Sequence, residues 1–358
     1  MTVGTRATSA HARILAGICT LLAAIAVGAA VSPAAHAGKF HGVVSQGQLT
    51  ARDFERMGAG NVGVLRLRVS WSRIQSTKDG PYDWSWLDSV VSGAAEHGVR
   101  VLPELDGPSP QGIRTPPTTA EGRRGYARFA GAVARRYGAG GAYWETPLLG
   151  APGPTMPIRT IQIYNEQNGR AYWGAKPSPS DYGKLVKAAS KKIRAEAPRT
   201  EVVLGGMFGT PSGRGSVTSW KFLSRLYGVR GIKSAFDTVA VHPYAPSLDL
   251  IEAQVRKVLA VMKREGDRGT DLRITEVGWG SKKSGGDLNK GKKGQARMLT
   301  KSFRLFERRR GAWNLKGINW FAWRDNSGAK CYFCSSAGLF TEGGRAKPSW
   351  RAFRRAAR

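Results

Sequence analysis

The chain of 358 residues alternates short apolar runs with longer segments whose apolar and charged residues repeat at helical spacing. Eight apolar runs are each followed by a helix-like segment, for example "VGVLRLRVS" by "WSWLDSVVSGAAEHG" and "EVVLGGM" by "VTSWKFLSRLYG". Such runs predict buried strands, and repeated strand–helix alternation predicts a parallel sheet covered by helices. The predicted strands are 40–44, 62–70, 99–105, 158–164, 201–207, 237–244, 271–279 and 316–323.

The number of units favours a closed sheet over an open one. Eight strand–helix units within about 320 residues suit a (β/α)8 barrel, the TIM barrel. An open doubly wound sheet would carry a glycine-rich phosphate-binding turn after its first strand, and "VVSQGQL" is not such a turn. We therefore predict the α/β class and a single domain over 38–358. The segment 138–157, rich in Pro and Gly, is predicted to be a long loop leading into the fourth strand.

The N-terminal segment has the pattern of an export signal. Arg6 and Arg13 precede the uncharged run "ILAGICTLLAAIAVGAAV", and Ala-His-Ala follows at 35–37. A basic start, an apolar middle and a small-x-small site predict a secretory signal peptide over 1–37. The mature protein is then expected to be secreted or associated with the cell wall, with no membrane contact after cleavage. The alternative is a retained membrane anchor, because the apolar run approaches spanning length.

The charge balance is strongly basic. Lys and Arg number 56 against 25 Asp and Glu, which gives a net charge of +31, and loss of Arg6 and Arg13 lowers it by two to about +29. Such a charge favours anionic partners. The basic residues form a solvated outer surface or tether the protein to anionic wall or matrix polymers. A third alternative is an acidic substrate, reached by the lysines that follow Glu276: Lys282, Lys283, Lys290, Lys292 and Lys293.

Nucleic-acid recognition motifs do not occur in the sequence, and the basic residues do not line an aromatic groove. We therefore expect no specific nucleic-acid partner. We also expect a monomer. No cluster of metal ligands and no cofactor motif is evident, so no metal and no organic cofactor is predicted.

The mature chain contains two cysteines in the spacing C-x-x-C. Cys331 and Cys334 lie in the loop-like stretch "SGAKCYFCSSAG", whereas a thioredoxin-type pair would open a helix after a strand. Two cysteines without nearby histidines do not make a zinc site. Outside the cytoplasm they predict a structural disulfide.

Polar residues end the predicted strands. In (β/α)8 barrels the catalytic groups lie at the carboxyl ends of the strands, and the opposite face serves stability. The polar or aromatic residues at these ends are Arg66, Arg68, Glu104, Asp106, Asn165, Glu166, His242, Tyr244, Glu276 and Trp323.

Two of these residues suggest a specific reaction. Glu166 ends the fourth strand and Glu276 ends the seventh, so both face one cleft. Hydrolysis of a glycosidic bond uses two carboxyl groups, one protonated to donate to the leaving oxygen and one ionised. For either residue alone the alternative is an ordinary salt bridge.

The ordered set of motifs resembles the clan A glycoside hydrolases, retaining (β/α)8 enzymes such as glycoside hydrolase families five and thirty-nine. The matching stretches are "YNEQN" after strand four and "TEVGW" after strand seven, with "LRLRVSWSRIQ", "DGPYDWSWLD", "VHPYAP" and "WFAWRDN" around them. The resemblance extends from strand two to the C-terminus. It implies a glycosidase that acts on a poly- or oligosaccharide by double displacement.

The resemblance implies roles for individual residues. Glu166 would be the general acid/base and Glu276 the nucleophile, with carboxyl groups about 5–5.5 Å apart. Asn165 would bind the sugar 2-hydroxyl, and Arg66 would keep Glu276 ionised. The remaining candidates are residues that orient the nucleophile or contact the sugar, with Trp323 as the floor of the sugar site: His242, Tyr244, Trp279 and Trp323.

Each role has a structural alternative. Arg68 shares the strand face of Arg66, so either arginine fits the role beside the nucleophile. His242, Trp279 and Trp323 are also compatible with packing in the core. Glu104 and Asp106 bind sugar hydroxyls or form salt bridges. At the level of the whole protein, the alternative is an exported, non-catalytic protein that binds carbohydrate or polyanions.

Overall fold

The computed structural model describes residues 40–145, 154–174 and 176–358. Within them eight parallel strands form one closed barrel in chain order, with the last strand paired to the first. Each predicted strand is present, with ends displaced by two residues at most. The prediction of a (β/α)8 barrel is therefore confirmed. The strands are β1 His41–Val44, β2 Val64–Ser70, β3 Arg100–Asp106, β4 Thr160–Asn165, β5 Glu201–Phe208, β6 Thr238–His242, β7 Asp271–Val277 and β8 Leu315–Phe321.

Helices cover the outside of the barrel, and several begin where the sequence supplies an N-terminal cap. Thr119, Ser178 and Ser247 each accept a hydrogen bond from a backbone N–H of the first helical turn. The helices of the described residues are α1 Ala51–Ala59, α2 Trp71–Ile74, α3 Ser85–Glu96, α4 Ala120–Tyr137, α5 Ala142–Glu145, α6 Arg170–Trp173, α7 Pro179–Glu196, α8 Ser219–Tyr227, α9 Leu248–Arg264, α10 Gly291–Arg309 and α11 Pro348–Ala356.

The inside of the barrel changes from apolar to polar along the strands. Leu102, Val203 and Ala240, with Val64 against them, form a small apolar cluster inside the sheet. Two residues further along β2, Arg66 replaces this apolar layer, because every second residue of a strand faces the same side. The interior of the barrel is therefore filled by apolar side chains towards the amino ends of the strands and is polar at their carboxyl ends.

Asp53 joins the start of the barrel to its end. Its carboxylate accepts hydrogen bonds from the backbone N–H and the hydroxyl of Thr50, forming a capping box on α1. It also accepts the indole N–H of Trp323 at 2.9 Å and pairs with Arg324, both in the loop after β8. Burial raises the pKa of Asp53, but the hydrogen bonds from Trp323 and Thr50 and the charge of Arg324 lower it overall. Asp53 is thus held as a carboxylate.

Two predictions concern segments that lie wholly or partly outside the described residues. The predicted signal peptide, 1–37, lies outside them, and so do residues 146–153 of the predicted loop 138–157. The described part of that loop contains the short helix α5. For the described residues, no helix is both long enough and apolar enough to cross a membrane.

Candidate active site

Two glutamates and a histidine meet at the carboxyl end of the barrel. Glu166 follows β4, His242 ends β6, and Glu276 is the penultimate residue of β7. All three are buried. One carboxylate oxygen of each glutamate and a ring nitrogen of His242 lie within 4.8 Å of one another. The structure thus brings together the two carboxyl groups that the sequence pairs.

Backbone irregularities turn both glutamates into the site. Neighbouring residues of a regular strand face opposite sides, yet Asn165 and Glu166 both reach this site, and so do Thr275 and Glu276. Glu166 has φ +41° and Tyr164 has φ +69°, a left-handed backbone that is uncommon outside glycine. On β7 the register against β8 shifts across the segment that holds the second pair. Both departures lie where side chains must converge, as expected of a functional site.

Arg66 is the centre of the hydrogen-bond network. Its guanidinium donates to Glu276 Oε1 at 2.6 Å, to Asn165 Oδ1 at 2.8 Å and to Gln162 Oε1 at 2.6 Å. It also pairs with Glu104. Burial opposes its charge, but Glu104 and Glu276 together raise the pKa of Arg66. A permanently charged arginine therefore lies against one oxygen of Glu276.

Tyr244 holds the other oxygen of Glu276. Its hydroxyl donates to Glu276 Oε2 at 2.7 Å. Burial raises the pKa of Tyr244, and the neighbouring Glu276 charge raises it further, so the phenol stays protonated and remains a donor. Each oxygen of Glu276 thus has its own donor, which fixes the orientation of the carboxylate.

His242 lies between Glu166 and the barrel interior. Its Nδ1 is 2.8 Å from Glu166 Oε1 and its Nε2 is 3.0 Å from Thr275 Oγ1. Burial lowers the pKa of His242, and the Arg66 guanidinium lowers it further, so the imidazole is neutral. The glycine at 206 makes room for the ring, because a Cβ there would lie 2.0 Å from His242 Nε2.

The protonation of Glu166 follows from its surroundings. Burial raises the pKa of Glu166 well above its ordinary value, the Glu276 charge raises it further, and Arg66 acts in the opposite direction. Glu166 thus favours the protonated form, whereas Glu276 faces a guanidinium and a phenol. This asymmetry gives one proton donor and one carboxylate in the same cleft.

The salt-bridge alternative applies to the acidic residues of β3. Glu104 pairs with Arg66, and Asp106 pairs with Arg68. Burial raises the pKa of Glu104, while Arg66 opposes it. The Arg68 side chain is 55% exposed, whereas Arg66 is fully buried, so Arg66 is the arginine that contacts Glu276.

The expectation that Trp323 and Trp279 contact a sugar is wrong. Trp323 is 1% exposed, and its indole N–H is bonded to Asp53. Trp279 is 0% exposed, donates its indole N–H to the carbonyl of Ala245 and packs against Trp320. Both rings fill the core, the alternative that the sequence left open.

A phenylalanine cluster forms the aromatic wall of the site instead. Phe208, Phe321 and Phe333 surround Tyr244 with ring centroids 5.5, 6.1 and 5.2 Å away. Phe208 and Phe321 are half-buried, so part of each ring is accessible. Strand alternation could have identified Phe321, because it shares its face with Asn319 and not with Trp320. Tyr172, 42% exposed, lies near Glu166, whose charge is the main cause of its raised pKa.

Cys331 and Cys334 are disulfide-bonded, as predicted. The bridge encloses Phe333, which is buried against Tyr244 and Phe321. The carbonyl of Cys334 also accepts a hydrogen bond from Gln46 of the loop after β1. The disulfide therefore constrains the loop that supplies one aromatic ring of the site.

The cluster of Glu166, His242 and Glu276 has the ligand types and spacing that hold a divalent metal. Two of its members, Glu276 and His242, already have other partners, however, and the partner of His242 is Thr275. Arg66 and Tyr244 donate to the two oxygens of Glu276, and the guanidinium supplies a positive charge. Both oxygens of Glu276 are thus satisfied by donors of the chain itself.

The chain matches no protein-family model and no curated protein sequence. Its fold is similar to that of many solved structures. A family 39 glycoside hydrolase from Bacteroides cellulosilyticus WH2 has a TM-score of 0.65 at 18% identity, over 90% of this chain. A monomeric β-xylosidase from Caulobacter crescentus CB15 has a TM-score of 0.62 at 17% identity, over 88% of this chain. This chain covers 64% of the first enzyme and 67% of the second.

An endoglucanase from Pseudomonas stutzeri is closer in length. Its TM-score is 0.59 at 12% identity, and the match covers 89% of this chain and 94% of the endoglucanase. At these identities the similarity establishes the barrel fold. The functional argument therefore depends on the site itself.

The coupling between the two glutamates leads to a prediction. In Glu276→Gln the pKa of Glu166 should fall, because the neighbouring negative charge that helps to raise it is removed and Arg66 remains. The pKa can be measured by carbon-13 NMR titration of glutamate-labelled protein, with Glu166→Gln identifying the signal. Glu55→Gln, an exposed position on α1, is the matched control. An unchanged or higher Glu166 pKa in Glu276→Gln would show that the two groups are not coupled.

Proposed function

We propose that this protein is a glycoside hydrolase that acts with retention of configuration, with Glu166 as general acid/base and Glu276 as nucleophile. The observation that carries the proposal is the pair itself, two buried carboxyl groups with oxygens within 4.8 Å at the carboxyl end of the barrel. Retaining pairs are about 5–5.5 Å apart, whereas inverting pairs need about 6.5–9.5 Å to admit a water molecule. The spacing therefore favours direct attack by one carboxylate.

The first step forms a covalent intermediate. An oxygen of Glu276 attacks the anomeric carbon as the bond to the glycosidic oxygen breaks, and Glu166 gives its proton to that departing oxygen. Arg66 and Tyr244 hold Glu276 in one orientation before the reaction, so little reorganisation is needed. The raised pKa of Glu166 supports its role as the acid, since the group must arrive protonated.

The second step regenerates the enzyme. A water molecule attacks the same anomeric carbon, Glu166 takes its proton, and the bond to Glu276 breaks. Glu166 becomes a carboxylate in the first step and a carboxylic acid again in the second. Loss of the Glu276 charge in the intermediate lowers the Glu166 pKa, because that charge is a cause of the raised value. The same coupling therefore suits Glu166 to both roles.

Asn165 is placed to bind the substrate beside the nucleophile. Its Oδ1 accepts a hydrogen bond from Arg66, so the amide NH2 points away from the guanidinium. We assign this NH2 to the sugar 2-hydroxyl, a contact that strengthens in the transition state. The half-buried rings of Phe208 and Phe321 provide the apolar surface against which a sugar ring packs.

The names of the solved structures with a similar fold support the same class. The three described above are called a glycoside hydrolase, a β-xylosidase and an endoglucanase. Their substrates differ, and the proposal for this chain extends to a carbohydrate substrate with an O-glycosidic bond.

Substitution of the two glutamates tests the mechanism. Glu276→Ala should lower kcat by about 10⁴-fold or more on whichever glycan a polysaccharide and aryl glycoside panel identifies, because no covalent intermediate forms. Added azide should restore turnover and give a glycosyl azide of inverted configuration.

Glu166→Ala with azide should give a glycosyl azide of retained configuration, and its activity should no longer fall at alkaline pH. That fall reports deprotonation of the acid as the pH rises through its raised pKa.

Two outcomes would contradict the proposal. Hydrolysis that Glu276→Ala leaves unchanged would remove Glu276 from the reaction. Binding to a glycan without any hydrolysis by the unsubstituted protein would favour the alternative of a non-catalytic carbohydrate-binding protein.

We further propose that the protein is exported and that a basic surface attaches it to anionic polymers. The α10–α11 face comprises four side chains around a cavity of about 270 Å³: Arg297, Lys301, Arg304 and Arg355. On α10 the three cations follow one another at spacings of four and three residues, so they lie on one side of the helix. None of the four has an ion-pair partner in the described part of the chain, whereas nearby Arg309 pairs with Glu252.

Binding to polygalacturonate, a carboxylated polysaccharide, tests this surface. A variant with all four positions changed to Gln should bind at least about tenfold more weakly at low salt, and its salt dependence should be shallower, because fewer counterions are exchanged. The matched control removes four exposed cations from α7 and α8 by the same change: Lys191, Lys192, Lys221 and Arg225. Equal losses in the two variants would show that net charge alone governs binding and would contradict a specific face.

A further inference from the structure

A chain of four side chains runs behind the acid/base through the polar layer of the barrel. It begins at Arg66 on β2, continues through Gln162 on β4 and Thr275 on β7, and ends at His242 on β6. Every member is at most 1% exposed, so bulk water does not reach these side chains. The direction of each hydrogen bond in this chain can therefore be derived from its neighbours.

Arg66 fixes the orientation of the Gln162 amide. A guanidinium only donates hydrogen bonds, so the atom that it contacts at 2.6 Å is the carbonyl oxygen of Gln162. The Gln162 NH2 then faces two acceptors, the backbone carbonyl of Leu204 at 3.0 Å and Thr275 Oγ1 at 3.2 Å. A backbone carbonyl only accepts, so Leu204 gives the same orientation independently.

Thr275 determines which nitrogen of His242 accepts a hydrogen bond. Its oxygen accepts from Gln162, and its single hydroxyl proton needs an acceptor. Among the contacts of Thr275 in the described residues, the remaining one is His242 Nε2 at 3.0 Å. A neutral imidazole has one donor and one acceptor nitrogen. The Thr275 hydroxyl therefore donates to Nε2, and the ring proton lies on Nδ1.

We propose that Gln162 and Thr275 are positioning residues that fix His242 as the Nδ1–H tautomer, so that the ring donates to Glu166 Oε1. Nδ1 and Oε1 are 2.8 Å apart, which suits this bond. Because Oε1 is already an acceptor, a protonated Glu166 carries its proton on Oε2. The catalytic consequence rests on the proposed function, whereas the tautomer does not.

The opposite tautomer would impair proton donation by Glu166 in the first step of the reaction. With the proton on Nε2, the bare Nδ1 would accept the Glu166 proton at Oε1 and direct it away from a glycosidic oxygen. The hydroxyl of Thr275 would then face the ring N–H and the Gln162 N–H together, and its own proton would have no acceptor among the described contacts. A buried hydroxyl whose proton has no acceptor is unfavourable.

Nitrogen-15 NMR of the histidine rings tests the tautomer without any substrate. The full chain is labelled with nitrogen-15 at histidine, and the ring nitrogens are assigned by comparison with His242→Gln. We expect the signature of a protonated Nδ1 and an unprotonated Nε2 for His242. A protonated Nε2 with an unprotonated Nδ1, or a ring protonated on both nitrogens near neutral pH, would overturn the proposal.

Substitution of Thr275 tests the catalytic consequence. Thr275→Val keeps the shape of the side chain but removes its hydroxyl, and it should lower kcat by between about 10- and 100-fold with KM nearly unchanged. Thr275→Ser retains the hydroxyl and should keep most of the kcat. Circular dichroism and thermal unfolding establish that both variants are folded. Equal kcat values for Val and Ser would overturn the positioning role.

The two measurements separate this inference from the proposed function. An Nδ1–H ring in a protein without glycosidase activity would support the inferred tautomer and contradict the proposed function. A glycosidase with an Nε2–H ring would support the proposed function and contradict the inferred tautomer.

Discussion

The buried guanidinium of Arg66 is the interaction on which the rest of the site depends. A cation inside the barrel is costly unless its hydrogen bonds are satisfied by anions and amides. Here β3, β4 and β7 each supply partners, so one side chain links a large part of the polar layer. It orients the carboxylate of Glu276, turns the Asn165 amide towards the cleft and sets the direction of the Gln162 amide. A buried ion pair is weak evidence for stability, so its presence here is better explained by function.

The two glutamates differ in protonation because the Arg66 guanidinium contacts Glu276 and not Glu166. Glu276 has a donor on each oxygen, one of them permanently charged. Glu166 has only a neutral imidazole against Oε1, and burial together with the Glu276 charge raises its pKa. Backbone irregularities at both strand ends make this possible, because a regular strand would turn one residue of each adjacent pair away from the cleft. The barrel thus provides a rigid frame, and the departures from regular strand geometry let neighbouring side chains point into the same cleft.

The sequence predicted the fold well because strand–helix alternation is a strong signal and most residues of the eight strands are buried. It also identified Arg66, Asn165 and Tyr244, which contact the glutamates or one another, although Arg66 lies inside β2 and not at its end. It failed for Trp323 and Trp279, because beyond the end of a strand the alternation no longer tells which way a ring points. Gln162 was missed because it is a single polar residue between Ile161 and Ile163, and Thr275 was missed because threonine is common in strands. Only the closed barrel brings them together with His242.

The most direct test of the account is to identify the residue that becomes covalently attached to the sugar. An activated 2-deoxy-2-fluoro glycoside of the sugar that the enzyme hydrolyses slows both steps and lets the intermediate accumulate, and peptide mass spectrometry then locates the label. The account predicts one label, on Glu276, which disappears in Glu276→Gln. A label on Glu166, or rapid hydrolysis with inversion and no label, would contradict it.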